Sequence, residues 1–325
     1  MPRILAVGGA HIDHKGWLDA PHRPGASNPG HWRSEPGGGA FNAARNLARL
    51  GHQVTLVAPR GGDALAGQVA DAAREAGIED CPLTFLDRAT PSYTAILEPD
   101  GNLVTALADM ALYDFVPARR LMTARFRERL EAADLLLADA NLPGDALEAL
   151  TKAAHQRAIP VAAIAVSPAK VVRWKASLPR LTLLAMNMAE AVALTAPTPG
   201  EADSNVPAEA MTQAPLQALM QLGLTGGLVS DGGGSVQAFQ AGAQLTLAPP
   251  PLAQLTDVTG AGDALASGFI DGLLNGGSLE ENLARGIALA RLTLEVTGPV
   301  RHDLSSALLA QTRSAMPMPP QASPL

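Results

Sequence analysis

The sequence predicts an α/β protein whose mostly parallel sheet is covered by helices on both faces. Two observations carry that expectation. Short apolar runs alternate with helical patterns along most of the chain, the rhythm of strands and crossover helices. The 325 residues are 47% hydrophobic and 17% charged, which supports a sizeable core and is too apolar for a disordered chain.

"RILAVGG" (3–9) reads as a buried strand ending in glycine, and "GGGAFNAARNLARLG" (37–51) as a glycine turn feeding a helix that stops at Gly51. "QVTLVAPRGGD" (53–63) gives a strand and turn, and "ALAGQVADAAREAGI" (64–78) a helix that again ends at glycine. The rhythm returns in 133–143, 145–159, 160–166, 181–187 and 226–234. Ligands of such sheets bind beyond the C-terminal ends of the strands, and Asp13 is expected to close the first strand at that edge.

Two segments break the rhythm. Residues 14–34 hold no helical pattern, and "SYTAILEPDGNLVTALAD" (92–109) reads as a hairpin turning at Asp100-Gly101. They form either a small β lid or two ordinary surface loops; the lid is favoured because each insert flanks a candidate site. The α/β core would then comprise 1–13, 35–91 and 110–313. An exposed loop is expected at 196–210 and a disordered tail at 314–325.

Composition excludes several function classes. The formal charge of -7 leaves no basic footprint for nucleic acid. The single Cys81 rules out an internal disulfide and a four-Cys zinc site, and is read as a small apolar filler. His11 and His14 lack a partner set for zinc. Asp13 arrives too early for a signal peptide, and no run approaches the ~18 apolar residues of a membrane span, so a cytoplasmic location is expected.

In "DVTGAGDALASGF" (257–269), Gly260 and Gly262 permit close backbone approach, and a helix start adds unpaired N–H groups and a positive dipole end. Asp263 beside that anion site is either a general base for an attacking hydroxyl or a helix N-cap. In "PGGGAFNAARN", Asn42 could bind sugar hydroxyls or cap its own helix, and Asn46 is read as solvated. Asn187 and Glu190 in "NMAE" suit either a hydrated Mg²⁺ or a capping box. No G-x-G-x-x-G follows the first strand and there is no G-x-x-x-x-G-K-[ST] loop, which argues against a dinucleotide oxidoreductase.

These segments in this order resemble the ribokinase-like (PfkB-type) carbohydrate and nucleoside kinases from about residue 4 to about residue 303. The carriers are "GGGAFNAARNLARLG", "DVTGAGDALASGFIDGLL" and "NMAE". "GGAHIDHKG", "SNPG", "TPSYTAIL", "LADM" and "ADANLP" make the chain most similar to the pseudouridine kinases.

The resemblance implies a three-layer αβα core with a small β lid, and ATP-dependent phosphorylation of a ribosyl 5′-hydroxyl, pseudouridine being the acceptor. It makes Asp263 the base and the backbone of Gly260, Ala261 and Gly262 the anion hole. Asn187 and Glu190 would orient Mg²⁺ and its waters, and Ser230 and Gly232 would line the ATP site. Asp13, Gly38 and Asn42 would hold ribose; His11, Ser92, Asp109, Asn141 and Lys170 would face the base. Asp257 would ligate a monovalent cation such as K⁺, and the lid would pair two subunits. The chain departs from the pattern at His11, at Ala108 and in "AIAVSPAK" (163–170), which lacks the expected acid. A kinase for adenosine, inosine or ribose, or a non-catalytic sensor of the same fold, are the alternatives.

Overall fold

The computed structural model describes residues 1–196, 215–252, 254–316 and 323–324. Most of the loop expected at 196–210, and most of the tail expected at 314–325, lie outside the described residues.

In chain order the strands are β1 (Arg3–Val7), β2 (His11–Leu18), β3 (Gly30–Gly37), β4 (Gln53–Val57), β5 (Pro59–Gly61), β6 (Glu79–Asp80), β7 (Leu83–Phe85), β8 (Ser92–Leu97), β9 (Leu103–Asp109), β10 (Leu135–Asp139), β11 (Val161–Ile164), β12 (Leu183–Asn187), β13 (Gly226–Ser230), β14 (Val236–Gln240), β15 (Ala243–Leu247) and β16 (Ser323–Pro324). The longer helices are α1 (Gly39–Arg49), α2 (Ala64–Glu75), α3 (Ala124–Glu131), α4 (Gly144–His155), α5 (Met188–Thr195), α6 (Ala261–Leu274), α7 (Leu279–Leu294) and α8 (Ser306–Ala315).

The main sheet runs β16-β15-β14-β13-β12-β11-β10-β1-β4-β6. It is parallel from β6 to β13 and antiparallel from there to β16. Side-chain alternation makes the layers. Ile4 and Ala6 of β1 enter one apolar cluster with Phe41, Leu47, Leu265 and Phe269 from α1 and α6. Leu5 and Val7 enter the opposite cluster with Phe126, Leu147 and Leu194 from α3, α4 and α5. A central strand buried on both faces has no room for polar alternation, which is why these runs read as continuously apolar.

Helix ends follow their local chemistry. Asp63 caps α2 by accepting from Ala66 N–H at 3.1 Å, and Ser278 and Glu281 form a capping box on α7. Gly51 and Gly77 follow α1 and α2 in left-handed conformations.

A second sheet, β3-β2-β8-β9, stands beside the first. It begins at His11 and takes in Gly37, so it reaches beyond the 14–34 segment at both ends. Asp13 therefore lies inside β2 and does not end the first strand, which stops at Val7. The β8–β9 hairpin turns through Gly101 at φ 88, with Glu98 N–H bonded to Asn102 C=O at 2.8 Å. At the other end, α8 continues to Ala315 and Ser323–Pro324 pair with β15.

The sheet order reverses at β1, which has β4 on one side and β10 on the other. The crevice outside such a switch point is where open α/β sheets bind ligands. Gly8 and Gly9 follow β1 there, and Asp139 ends the neighbouring β10.

Candidate active site

Asp263 is the third residue of α6, whose N-cap is Gly260 at φ 76 with no side-chain cap. The capping alternative is thereby removed, and the carboxylate turns elsewhere: Oδ2 accepts from Asn42 Nδ2 at 2.8 Å. Asn42 does not cap α1 either, because Gly38 occupies that position. Its Oδ1 accepts from Arg45 Nη2 at 2.6 Å. A guanidinium can only donate, so the amide has one permitted orientation, with its NH₂ toward Asp263. Arg45 is itself held by Pro36 C=O at 2.7 Å and lies over the Phe41 ring.

Burial dominates the electrostatics and pushes the Asp263 carboxyl up to about 7; the Asn42 hydrogen bond opposes it, Asp139 and Glu190 add to it, and Arg45 opposes it more weakly. Burial also lowers Arg45 to about 10, which leaves it charged at neutral pH.

Gly260 has no tolerable substitute: a β-carbon there would lie 2.4 Å from Pro299 C=O, and its φ is left-handed. A β-carbon on Gly262 would meet nothing within 4 Å, so that backbone stands open. Ala261 N–H leans on Val258 C=O at 3.3 Å, while the N–H groups of Gly262 and Asp263, in the first turn, have no intrahelical acceptor.

Asn187 and Glu190 do form a capping box: Asn187 Oδ1 accepts from Glu190 N–H at 2.9 Å, and Glu190 Oε2 from Asn187 N–H at 2.7 Å. They also wall a chamber of about 180 Å³ with Ser230, Gly260, Gly262 and Asp263. Burial raises the Glu190 carboxyl, against the Asn187 N–H. Cap and pocket wall are thus one feature. Oxygen donors in this chamber suit a hydrated Mg²⁺, which needs few protein ligands. Among the described residues no cluster of three His, Cys, Asp or Glu could hold a metal.

The chamber opens into an apolar cleft of about 400 Å³ that shares Ser230, Gly262 and Leu265 with it and is walled by Val236, Pro250, Leu252 and Ile287. Ser230 ends β13 in register with Asn187. Gly232 sits in the following turn at φ 51. Across the chamber, Val166 adopts φ 71 with Ser167 N–H bonded to Ala165 C=O at 2.9 Å, a strained γ-turn for a β-branched residue.

On the other side of Asp263 lies a polar row anchored by Asp139, which is fully buried. Its oxygens accept from Gly9 N–H at 3.1 Å, Ala40 N–H at 2.8 Å, and Asn141 N–H and Nδ2 at 3.0 and 2.9 Å. It thereby fixes the glycine loop after β1 to the start of α1. Gly38, at φ 112, fits there because a β-carbon would strike Gly9 C=O at 2.3 Å. Asn141 Oδ1 accepts from Lys170 Nζ at 2.6 Å. His11 meets Tyr113 Oη at 3.0 Å and Asp13 Oδ1 at 3.3 Å.

Period-two alternation divides the remaining expected residues. Ile12 pairs with Ser92, and Ser92 with Asp109, while Asp13 pairs with Tyr93 and Tyr93 with Ala108. Ser92 and Asp109 thus share the face of Ile12, opposite the face of His11, Asp13 and Lys15. Asp257 accepts from Thr259 and Gly298 beside Lys15, outside the chamber lining. Asn46 is fully buried, not solvated, and its amide has no hydrogen-bond partner among the described residues. Cys81 is half-buried with its thiol pushed up by burial and Glu79, which fits a filler.

Asp139, Arg45, Tyr113 and Lys15 were not singled out from the sequence. Asp139 had a signal, an acid at the end of the apolar run "LLLAD". Arg45 had another, lying one helical turn after Asn42.

The chain matches the model of the pfkB family of carbohydrate kinases over residues 1–305 and belongs to that family. It is thereby an ATP-dependent kinase of a sugar or nucleoside. It is 29% identical over 308 residues to pseudouridine kinase of Escherichia coli, covering 94% of each chain. It is 23% identical over 317 residues to ribokinase of Bacillus subtilis, covering 95% of this chain and 100% of that one. Among solved structures, a carbohydrate kinase from Agrobacterium tumefaciens is similar with TM-score 0.86 and 48% identity, each chain fully covered.

Two stability outcomes follow from this geometry. Asp139→Ala strands four buried donors and is expected to cost about 3 kcal/mol in chemical denaturation; a change under about 1 kcal/mol would contradict its anchoring role. Because the folded pKa of Asp263 is raised from 3.8 to about 7, its ionisation costs stability progressively as pH rises through that window. Asp263→Asn should therefore melt several degrees above wild type at about pH 8, with the gap closing toward about pH 4. A variant less stable than wild type at the higher pH would reverse the sign.

Proposed function

We propose that the protein transfers the γ-phosphoryl group of ATP to the 5′-hydroxyl of a ribosyl nucleoside, with pseudouridine as the acceptor. The observation that carries this reading is the chain Arg45–Asn42–Asp263 at an open helix N-terminus. It places a carboxylate with a pKa near neutrality beside backbone N–H groups suited to an anion. Binding alone would not favour a carboxylate there; transfer does, because the attacking hydroxyl must lose a proton.

In this reading Asp263 accepts the proton of the 5′-hydroxyl while the first turn of α6 stabilises charge on the transferring phosphoryl group. The second amide hydrogen of Asn42, with Asp13 and the Gly38 backbone, holds the ribose. Asn141, Lys170 and His11 face the base. The apolar cleft with Ser230 and Gly232 takes the adenosine of ATP, and Asn187 and Glu190 orient Mg²⁺ through its waters. Bound Mg²⁺ supplies neutralisation of phosphate charge. Pairing of two subunits through the small sheet would cover Trp32 and Leu107, which are 62% and 69% exposed on its outer face.

The 29% identity to E. coli pseudouridine kinase supports the acceptor. The position of Ser92 and Asp109 on the far face of the sheet favours a second reading, the same transfer to another nucleoside or to ribose.

An acceptor screen with ATP and Mg²⁺ separates the two: pseudouridine should exceed ribose, adenosine and inosine by at least about tenfold in kcat/KM. Preference for ribose or adenosine would replace pseudouridine as acceptor. ATP binding without ADP release for any acceptor would instead point to a sensor. Asp263→Asn should cut turnover by about a thousandfold or more while leaving ATP affinity near wild type; near-normal turnover would remove the base from Asp263.

A further inference from the structure

Lys15 follows His11 and Asp13 on the face of β2 opposite Ile12. Its Nζ donates to Thr259 Oγ1 at 2.7 Å and lies 3.9 Å from Asp257 Oδ2. Both side chains are largely shielded, at 21% and 16% exposure, where a charge pair is felt more strongly than on the open surface.

The Asp257 carboxylate is already engaged. Oδ1 accepts from the N–H and hydroxyl of Thr259 at 2.9 and 2.7 Å, and Oδ2 from Gly298 N–H at 3.1 Å. An inorganic cation needs oxygen lone pairs aimed at it. Here the carboxylate faces an ammonium besides its three hydrogen-bond donors, so with Lys15 in place the residues do not fit the monovalent cation that the family resemblance assigns to Asp257. The Thr259 hydroxyl is fixed from both ends, accepting from Lys15 while donating to Asp257.

What Asp257 joins gives the arrangement its consequence. Thr259 runs directly into Gly260, the N-cap of α6, and Gly298 precedes Pro299, whose atoms crowd Gly260 from the other side. Asp257 thus ties together the two segments that shape the turn at the anion site.

We propose that the ammonium of Lys15 is a built-in cation that takes the place of an inorganic monovalent cation at Asp257, so that the enzyme works without K⁺. Lys15 is a positioning residue, acting on the anion site through Thr259 and Asp257. The proposal rests on the kinase reading above for its activity readout, but its stability readout does not.

The test compares the full chain and Lys15→Met in KCl and in tetramethylammonium chloride at equal ionic strength, reading phosphorylation rate and melting temperature. Wild type should be the same in both salts, within about twofold in rate. Lys15→Met should lose about tenfold or more in tetramethylammonium and recover most of it in KCl, with a melting temperature that KCl raises in the variant alone. Activation of wild type by K⁺ of about fivefold or more would overturn the proposal, as would a variant with full activity in tetramethylammonium or one that KCl does not rescue. Should the variant fail to fold, the wild-type comparison decides alone. If no acceptor is phosphorylated, the function reading fails, while the salt dependence of the two melting temperatures still decides this one.

Discussion

The constraint on which the site depends is the burial of one carboxylate beside an amide that cannot turn. Desolvation pushes Asp263 toward the protonated form, which cannot act as a base. The Asn42 donor is the largest pull against that burial, and Asn42 can donate only because Arg45 occupies its oxygen. Remove the charge at Arg45 and the amide is free to flip, presenting an oxygen to a carboxylate. The cation–π contact with Phe41 and the bond to Pro36 serve the same end, since they keep the guanidinium where water would otherwise draw it out.

Around that pair the fold supplies two rigid approaches. Asp139, buried at the switch point, locks the glycine loop after β1 to the start of α1 and so places Asn42. Gly260, pressed against Pro299, fixes where α6 begins and so places Asp263. The two helices pack against one another, and their residues share one apolar cluster. Neither Gly38 nor Gly260 tolerates a side chain, for reasons of contact and backbone angle together. The second sheet joins this frame through Lys15, which links β2 to the segment leading into Gly260.

The sequence disclosed whatever depends on local backbone chemistry. β-α alternation, the glycine turns at Gly38 and Gly260, the helix stops at Gly51 and Gly77, and the hairpin at Gly101 need only neighbouring residues to be read. What depends on distant partners was hidden. Asp139 acts on residues about 100 and 130 positions away, and nothing in "LLLAD" says which loop will lie over it. Asn46 looked solvated because the chain does not show that α6 covers that side of α1. Ser92 and Asp109 illustrate a different gap: strand alternation was legible, but the register between β2, β8 and β9, which puts them opposite Asp13, was not. For Asp263 and for the Asn187–Glu190 pair, spacing left cap and site as rivals. The structure separates them in the first case and makes them one feature in the second.

The most direct measurement is the pH dependence of kcat/KM in wild type and in Asn42→Ala, followed with the best acceptor. With Asp263 as base and its pKa at about 7, the wild-type rate should rise with pH and level off above neutrality. Loss of the Asn42 donor should move the midpoint upward, because only the weaker pull of Arg45 then opposes burial. A wild-type profile that is flat across neutrality, or a midpoint that stays or falls in Asn42→Ala, would contradict the account.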